Sequence, residues 1–64
     1  MENIVKYKKF DELTQYEQIK VCNKYGDYKS LEYLNNGKKE KNGEQIYFRF
    51  EKQGNIIKNV DIIL

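Results

Sequence analysis

One short segment constrains the fold of this chain more than any other. From Glu44 to Glu51, apolar Ile46, Phe48 and Phe50 alternate with polar and amphipathic residues. A period of two residues predicts a β-strand that buries one face. Because a chain of 64 residues has only a small core, this strand must supply much of it. We therefore expect residues 1–64 to form one domain.

A hairpin is predicted from the residues that follow this strand. Residues 52–54 end in glycine and predict a three-residue bulged turn, after which residues 55–64 form the returning strand. Pairing Glu51 with Asn55 gives a register in which apolar residues share one face, with charged Lys58 as the exception. The predicted core face of the hairpin consists of Ile46, Phe48, Phe50, Ile56, Val60, Ile62 and Leu64.

A capping box marks the first of two helices. A short strand is predicted over residues 3–10. Beyond it, Thr14 and Glu17 have the spacing at which each side chain accepts a hydrogen bond from the other residue's backbone amide. A helix is therefore predicted over residues 15–25, and Gly26 is expected to end it in the left-handed conformation.

A second, shorter helix is predicted next. Asp27 is a suitable N-cap for a helix over residues 28–35, and Asn36 and Gly37 are expected to end it. Residues 38–43 then form a charged loop. The order strand, helix, helix, strand, strand predicts an α+β fold, in which a three-stranded antiparallel sheet carries two helices on one face.

The composition disfavours several classes of function. The chain has no His and a single Cys, so it lacks the usual proton shuttle at neutral pH, an internal disulfide and a thiolate zinc site. The one thiol, Cys22, falls on the apolar face of the first predicted helix, and we interpret it as a small buried hydrophobic residue. We expect no enzymatic activity, no metal and no cofactor.

The hydropathy pattern favours a cytoplasmic protein. No stretch approaches the roughly 18 apolar residues of a membrane span, and the N-terminus has no signal-like apolar run. A lone Cys also suits a reducing compartment. We expect a cytoplasmic protein.

The charge leaves two kinds of partner open. Twelve basic and ten acidic residues give a net charge of +2, which disfavours an acidic DNA mimic and falls short of a dedicated nucleic-acid binder. The basic residues nevertheless cluster, and a small RNA- or DNA-binding protein is therefore one hypothesis. The clusters are Lys6, Lys8 and Lys9 in the first strand, and Lys38, Lys39 and Lys41 in the charged loop.

The outer face of the hairpin predicts a protein-binding surface instead. The register above places Tyr47, Arg49 and Ile57 together on the side away from the helices, with Ile63 further along. Tyr and Arg are residue types that often anchor interfaces, and an exposed Ile between them has no structural need. The lysines of the charged loop would extend this surface. An open sheet edge also allows a third hypothesis, a homodimeric regulatory module.

The segment YKKFDELT, residues 7–14, followed by Glu17 and Gln18, resembles the opening of small orphan proteins of phages and other mobile elements in AT-rich bacteria. Such proteins often begin with a short strand and a Phe-x-Glu-Leu-Ser/Thr turn into a helix, and they include anti-CRISPR and other anti-defence inhibitors. The resemblance implies a non-enzymatic inhibitor that occludes a host defence protein, such as a CRISPR effector nuclease. The slightly basic charge then favours docking on protein, or on protein and guide RNA together.

Overall fold

Strand, helix, helix, strand and strand follow one another in this chain, as the sequence predicts. The computed structural model describes residues 2–64. The strands form one antiparallel sheet in the order β1-β2-β3, with β2 in the middle. A short 3₁₀ turn, Phe10–Glu12, follows the first strand. The elements are β1 (Asn3–Lys9), α1 (Gln15–Tyr25), α2 (Tyr28–Asn42), β2 (Tyr47–Gln53) and β3 (Ile56–Ile63).

The first helix has the predicted bounds because its capping is local. The Thr14 hydroxyl accepts a hydrogen bond from the Glu17 amide at 3.3 Å, and the Glu17 carboxylate accepts one from the Thr14 amide at 2.8 Å. Gly26 ends the helix with φ +118° and ψ −165°. That positive φ favours glycine, but the backbone is extended rather than left-handed helical, so the predicted conformation of Gly26 is wrong.

The second helix is longer than predicted, and the predicted charged loop does not exist. α2 continues through Gly37 to end at Asn42, where Gly43 with φ +70° supplies the left-handed stop. One interior glycine costs a helix only about 1 kcal/mol, and residues 38–41 are good helix formers. Their lysines also lie near the negative end of the helix dipole. The expected break after Asn35 was therefore too weak to end the helix.

The hairpin turn also differs from the prediction. Gln53 pairs with Ile56, so the turn is the two residues Gly54 and Asn55, and Phe50 pairs with Val60 rather than with Ile56. Gly54 has φ +62°, as the prediction of a left-handed glycine required. The three-residue turn was wrong because glycine fits both turn types, and local sequence does not distinguish them.

A bulge in β3 reverses the faces of two isoleucines. Between the Glu51–Asn59 and Lys52–Ile57 pairs, Lys58 is an extra residue on β3. An extra residue moves every side chain beyond it to the other face of the sheet. Ile57 is therefore buried at 8% exposure, whereas Ile56 is 55% exposed. Both were predicted on the opposite face.

The core lies between the two helices and one face of the sheet. Val21 of α1 and Leu31 of α2 belong to the same buried cluster as the phenylalanines of β2, so both helices cover the same face. Leu64, predicted in the core, is 72% exposed beyond the end of β3. The buried cluster consists of Phe10, Leu13, Val21, Leu31, Ile46, Phe48, Phe50, Ile57 and Val60.

A buried amide connects α2 to the start of β2. Asn35 is 2% exposed, and its side-chain oxygen accepts a hydrogen bond from the Ile46 amide at 2.9 Å. The sequence analysis placed Asn35 at a helix end and missed this bond. Because a buried amide without a partner destabilises a fold by roughly 1–3 kcal/mol, Asn35 stabilises the entry to the central strand.

Candidate functional site

Both helices of the described chain, residues 2–64, pack on one face of the sheet and leave the other face without a helix. The register of the three strands brings alternate residues of each strand together on the side opposite the core. We call this side the uncovered face. Its exposed apolar and aromatic members include Tyr7 at 59% exposure and Val5 at 43%. The central rows of the uncovered face consist of Val5, Tyr7, Lys9, Tyr47, Arg49, Glu51, Asn59, Asp61 and Ile63.

Arg49 lies at the middle of the uncovered face, paired across the strands with Tyr7 and Asp61. One guanidinium nitrogen lies 3.0 Å from a Glu51 carboxylate oxygen and 3.7 Å from one of Asp61. The hydrogen bond with Glu51 raises the pKa of Arg49 above its ordinary value, which keeps the group charged. The arginine is therefore held in place by two carboxylates.

The sequence analysis predicted two residues of this face correctly and one wrongly. Tyr47 and Arg49 lie half-buried on the uncovered face, as expected. Ile57 does not lie there, because the bulge turns it into the core. Ile63 takes its place, since it pairs across the strands with Tyr47 and is 39% exposed. The apolar contribution of β3 to the central rows of this face is therefore Ile63, at the end of the strand.

The predicted lysines of the charged loop lie on the last turns of α2. Lys38 and Lys41 line a groove of about 530 Å³ together with Leu64, and Lys39 lies in the last turn of the helix. Because Leu64 follows Ile63 directly, this groove begins where the uncovered face ends. We call it the terminal groove, and its lining is Tyr33, Leu34, Gly37, Lys38, Lys41, Asn42, Glu44 and Leu64.

The exposed apolar residues of the terminal groove were missed. Tyr33 is 81% exposed and Leu34 is 47% exposed. The sequence contained no signal for the groove, because a helix ending near Asn35 leaves no wall beside Leu64. Only the longer α2 brings its C-terminal turns to the end of the sheet.

The three lysines of β1 do not share a face. Alternation along the strand places Lys6 and Lys8 on the helix side of the sheet and Lys9 on the uncovered face. The Lys8 ammonium lies 2.9 Å from a carboxylate oxygen of Glu17, which is 4% exposed. These lysines therefore do not present their charges on one side of the sheet, and their role in nucleic-acid binding stays a prediction.

Glu17 is held by the helix cap and by Lys8. Burial alone would raise the pKa of its carboxyl group, but hydrogen bonds from the backbone of Thr14 and from Lys8 outweigh that effect and lower it. Cys22 is half-buried and packs against the core cluster, in keeping with a small hydrophobic residue. Among residues 2–64, no three His, Cys, Asp or Glu side chains lie close enough together to hold a metal ion.

The outer edge of β3 is closed by α1. The Tyr25 hydroxyl accepts a hydrogen bond from the Ile62 amide at 3.0 Å and donates one to the Val60 carbonyl at 3.4 Å. The Lys24 ammonium donates to the same carbonyl. This role of Tyr25 was not predicted from the sequence.

Comparison of the chain with protein-family models, with curated proteins and with solved structures gave no match. Neither α1 nor α2, the helices of the described part of the chain, has the length and apolar character needed to cross a membrane.

Proposed function

We propose that this protein is a non-catalytic protein-binding module, and that its uncovered face binds the partner. The observation that carries the proposal is the face itself, which has two tyrosines and an arginine with exposed aliphatic side chains around them, and on which neither α1 nor α2 packs. Tyr and Arg are the residue types that most often dominate the free energy of binding at interfaces. Tyr47 and Arg49 are the expected anchors.

The fixed position of Arg49 supports this role. Its guanidinium is already oriented by Glu51 and Asp61, so docking costs less side-chain entropy than ordering a free arginine would. A guanidinium carries five N–H donors, so donors remain for a carbonyl or carboxylate of the partner. The same pair of carboxylates limits how strongly the face attracts a purely anionic partner.

The uncovered face by itself is smaller than the surface that a stable protein interface buries. Three strands about 4.8 Å apart, each roughly 23 Å long, outline an area on the order of 300 Å². A stable interface usually buries roughly 800 Å² on each partner. Contacts must therefore extend past the sheet, and the terminal groove with Lys38 and Lys41 adjoins the face at Leu64.

The proposed class of partner rests on the resemblance of residues 7–14, with Glu17 and Gln18, to small orphan proteins of phages and mobile elements, which include anti-defence inhibitors. We propose that the module acts in the cytoplasm of a bacterial host and occludes a host defence protein, such as a CRISPR effector nuclease. Such an inhibitor acts by stoichiometric binding and needs no catalytic group. The net charge of +2 favours docking on protein over mimicry of DNA.

Affinity capture from a bacterial host lysate tests the proposal. The tagged protein is used as bait in lysate with and without nuclease treatment, and bound proteins are identified and then purified for size-exclusion chromatography. We expect one protein to survive nuclease treatment and to form a stoichiometric complex. The double variant Tyr47→Ala with Arg49→Ala should lose this complex while its thermal midpoint stays within a few degrees.

A matched control tests whether loss of the complex is specific to the uncovered face or follows from removing any exposed tyrosine. Tyr16 is 46% exposed on α1, away from the uncovered face, so Tyr16→Ala should keep the complex. An unchanged complex in the double variant would contradict the assigned surface. Loss of all captured protein on nuclease treatment would point to nucleic acid instead.

A further inference from the structure

The two outer edges of the sheet differ in how their backbone groups are satisfied. At the β3 edge, α1 side chains bind the Val60 carbonyl and the Ile62 amide. At the other edge, β1 pairs with β2 alone among residues 2–64, and six of its seven residues are exposed. An edge strand with free amides and carbonyls is a template for one more strand.

Two hydrogen bonds show which residues of β1 direct their backbone outward. The Phe10 amide donates to the Ile46 carbonyl at 3.1 Å, on the β2 side. The amide of the preceding residue, Lys9, instead donates to a Glu12 carboxylate oxygen at 2.8 Å, away from β2. Because these directions alternate along a strand, Tyr7 and Val5 present their N–H and C=O groups outward.

We propose that this open edge of β1 takes up an extended acidic segment of a partner protein as a fourth strand. The acidic side chains of that segment would lie on the side of the strand that carries Lys6, and its apolar side chains beside Val5 and Tyr7. The inference rests on the proposed function only in taking the partner to be a protein. The proposed site is the edge of β1, whereas Tyr47 and Arg49 lie on the central strand β2.

The side chains along this edge specify the partner's chemistry. Val5 and Tyr7 are exposed on one side of the strand, at 43% and 59%. Lys6 lies on the other side, and among residues 2–64 no carboxylate is within ion-pair distance of its ammonium group. A segment that alternates Glu or Asp with apolar residues matches both sides at once.

The lysines of β1 argue against a second copy of this chain as the fourth strand. Antiparallel pairing of two β1 strands centred on Lys6 would place Lys6 opposite Lys6 and each Ile4 opposite a Lys8. Like charges directly opposite each other destabilise a sheet, and edge lysines commonly prevent self-association. Charge complementarity therefore favours an acidic strand over this pairing of two copies.

Peptide binding measured by fluorescence anisotropy tests the proposal. The probe is a labelled peptide of about nine residues in which Glu alternates with Val, and its counterpart has Lys in place of Glu. We expect the intact protein to bind the Glu peptide and not the Lys peptide. Lys6→Glu should weaken the Glu peptide about tenfold and gain binding of the Lys peptide. No binding of the Glu peptide, or no exchange of preference, would overturn the proposal.

Backbone amides give a second readout that does not depend on a variant's folding. With the Glu peptide bound, hydrogen exchange followed by NMR should slow at the amides of Val5 and Tyr7. The amide of Lys6, which already points toward β2, should change little. Peptide binding without new protection at Val5 and Tyr7 would overturn the edge assignment.

The two proposals fail separately. Tyr47→Ala with Arg49→Ala should leave binding of the Glu peptide unchanged, because both residues lie on the central strand. Loss of peptide binding in that variant, with its fold intact, would overturn the edge assignment. If the same variant still captures the partner protein, that result would contradict only the proposal that the uncovered face binds the partner.

Discussion

β1 and β3 flank the same central strand, but only β3 contributes to the core. Ile57 and Val60 of β3 are buried at 8% and 3% exposure, and α1 closes the outer edge of that strand. In β1, Ile4 and Val5 remain 45% and 43% exposed. Similar aliphatic residues thus stabilise one strand and leave the other available, because the helices pack toward β3. The difference divides the sheet into a stabilising edge and an accessible edge.

The largest expected effect contrasts one substitution in the two strands. Ile57→Ala should lower the free energy of unfolding by about 2–4 kcal/mol, because it leaves a cavity in the core. Ile4→Ala should change it by less than about 0.5 kcal/mol, since that side chain is exposed. Urea denaturation measures both. Ile56→Ala should resemble Ile4→Ala, and the opposite ranking of Ile56 and Ile57 would contradict the bulged register.

Removing a side-chain contact that closes the outer edge of β3 should have a smaller effect on the free energy of unfolding. Tyr25→Phe removes the hydroxyl that binds the Ile62 amide and the Val60 carbonyl. We expect a loss of about 1–2 kcal/mol in the free energy of unfolding, because these partly buried groups lose a partner. Hydrogen exchange at the Ile62 amide should also become faster. Unchanged exchange there would mean that another group closes this edge.

The contact that ties β1 to α1 should have the smallest effect, and it should depend on pH. Hydrogen bonds lower the pKa of Glu17 below its ordinary value of 4.5. The folded protein therefore binds fewer protons than the unfolded chain, and the stabilisation is complete above that ordinary value. It is lost as the pH falls through the lowered pKa of Glu17. Glu17→Gln should cost about 1 kcal/mol at pH 7.

The dependence of the free energy of unfolding on pH provides the control for the Glu17 prediction. Glu17→Gln should flatten the decline in stability below the ordinary pKa of Glu17 when urea denaturation is repeated at several pH values. The loss of stability in acid that is due to Asp27 should remain. Its carboxylate accepts a hydrogen bond from the Ser30 amide, which lowers the pKa of Asp27 below its ordinary value of 3.8. An identical acid profile in the intact protein and the variant would show that Glu17 is not the group responsible.

The candidate site was predictable only where it depends on alternation within one strand. Tyr47 and Arg49 lie on the expected face because β2 keeps a strict period of two. Ile57 was assigned to the wrong face because a single extra residue, Lys58, changes the parity of β3. The terminal groove was not predictable, because it needs a helix that continues past Gly37.

The sequence by itself determined the order of the elements, the bounds of α1 and the buried face of β2. Each of these depends on contacts between residues close in the chain, such as Thr14 with Glu17. The tertiary structure decided the hairpin register, the end of α2 and which sheet edge is closed. Those features depend on contacts between distant residues, such as Tyr25 with Ile62 and Asn35 with Ile46. Their free energies are similar to those of the local alternatives, so only the packed chain selects between them.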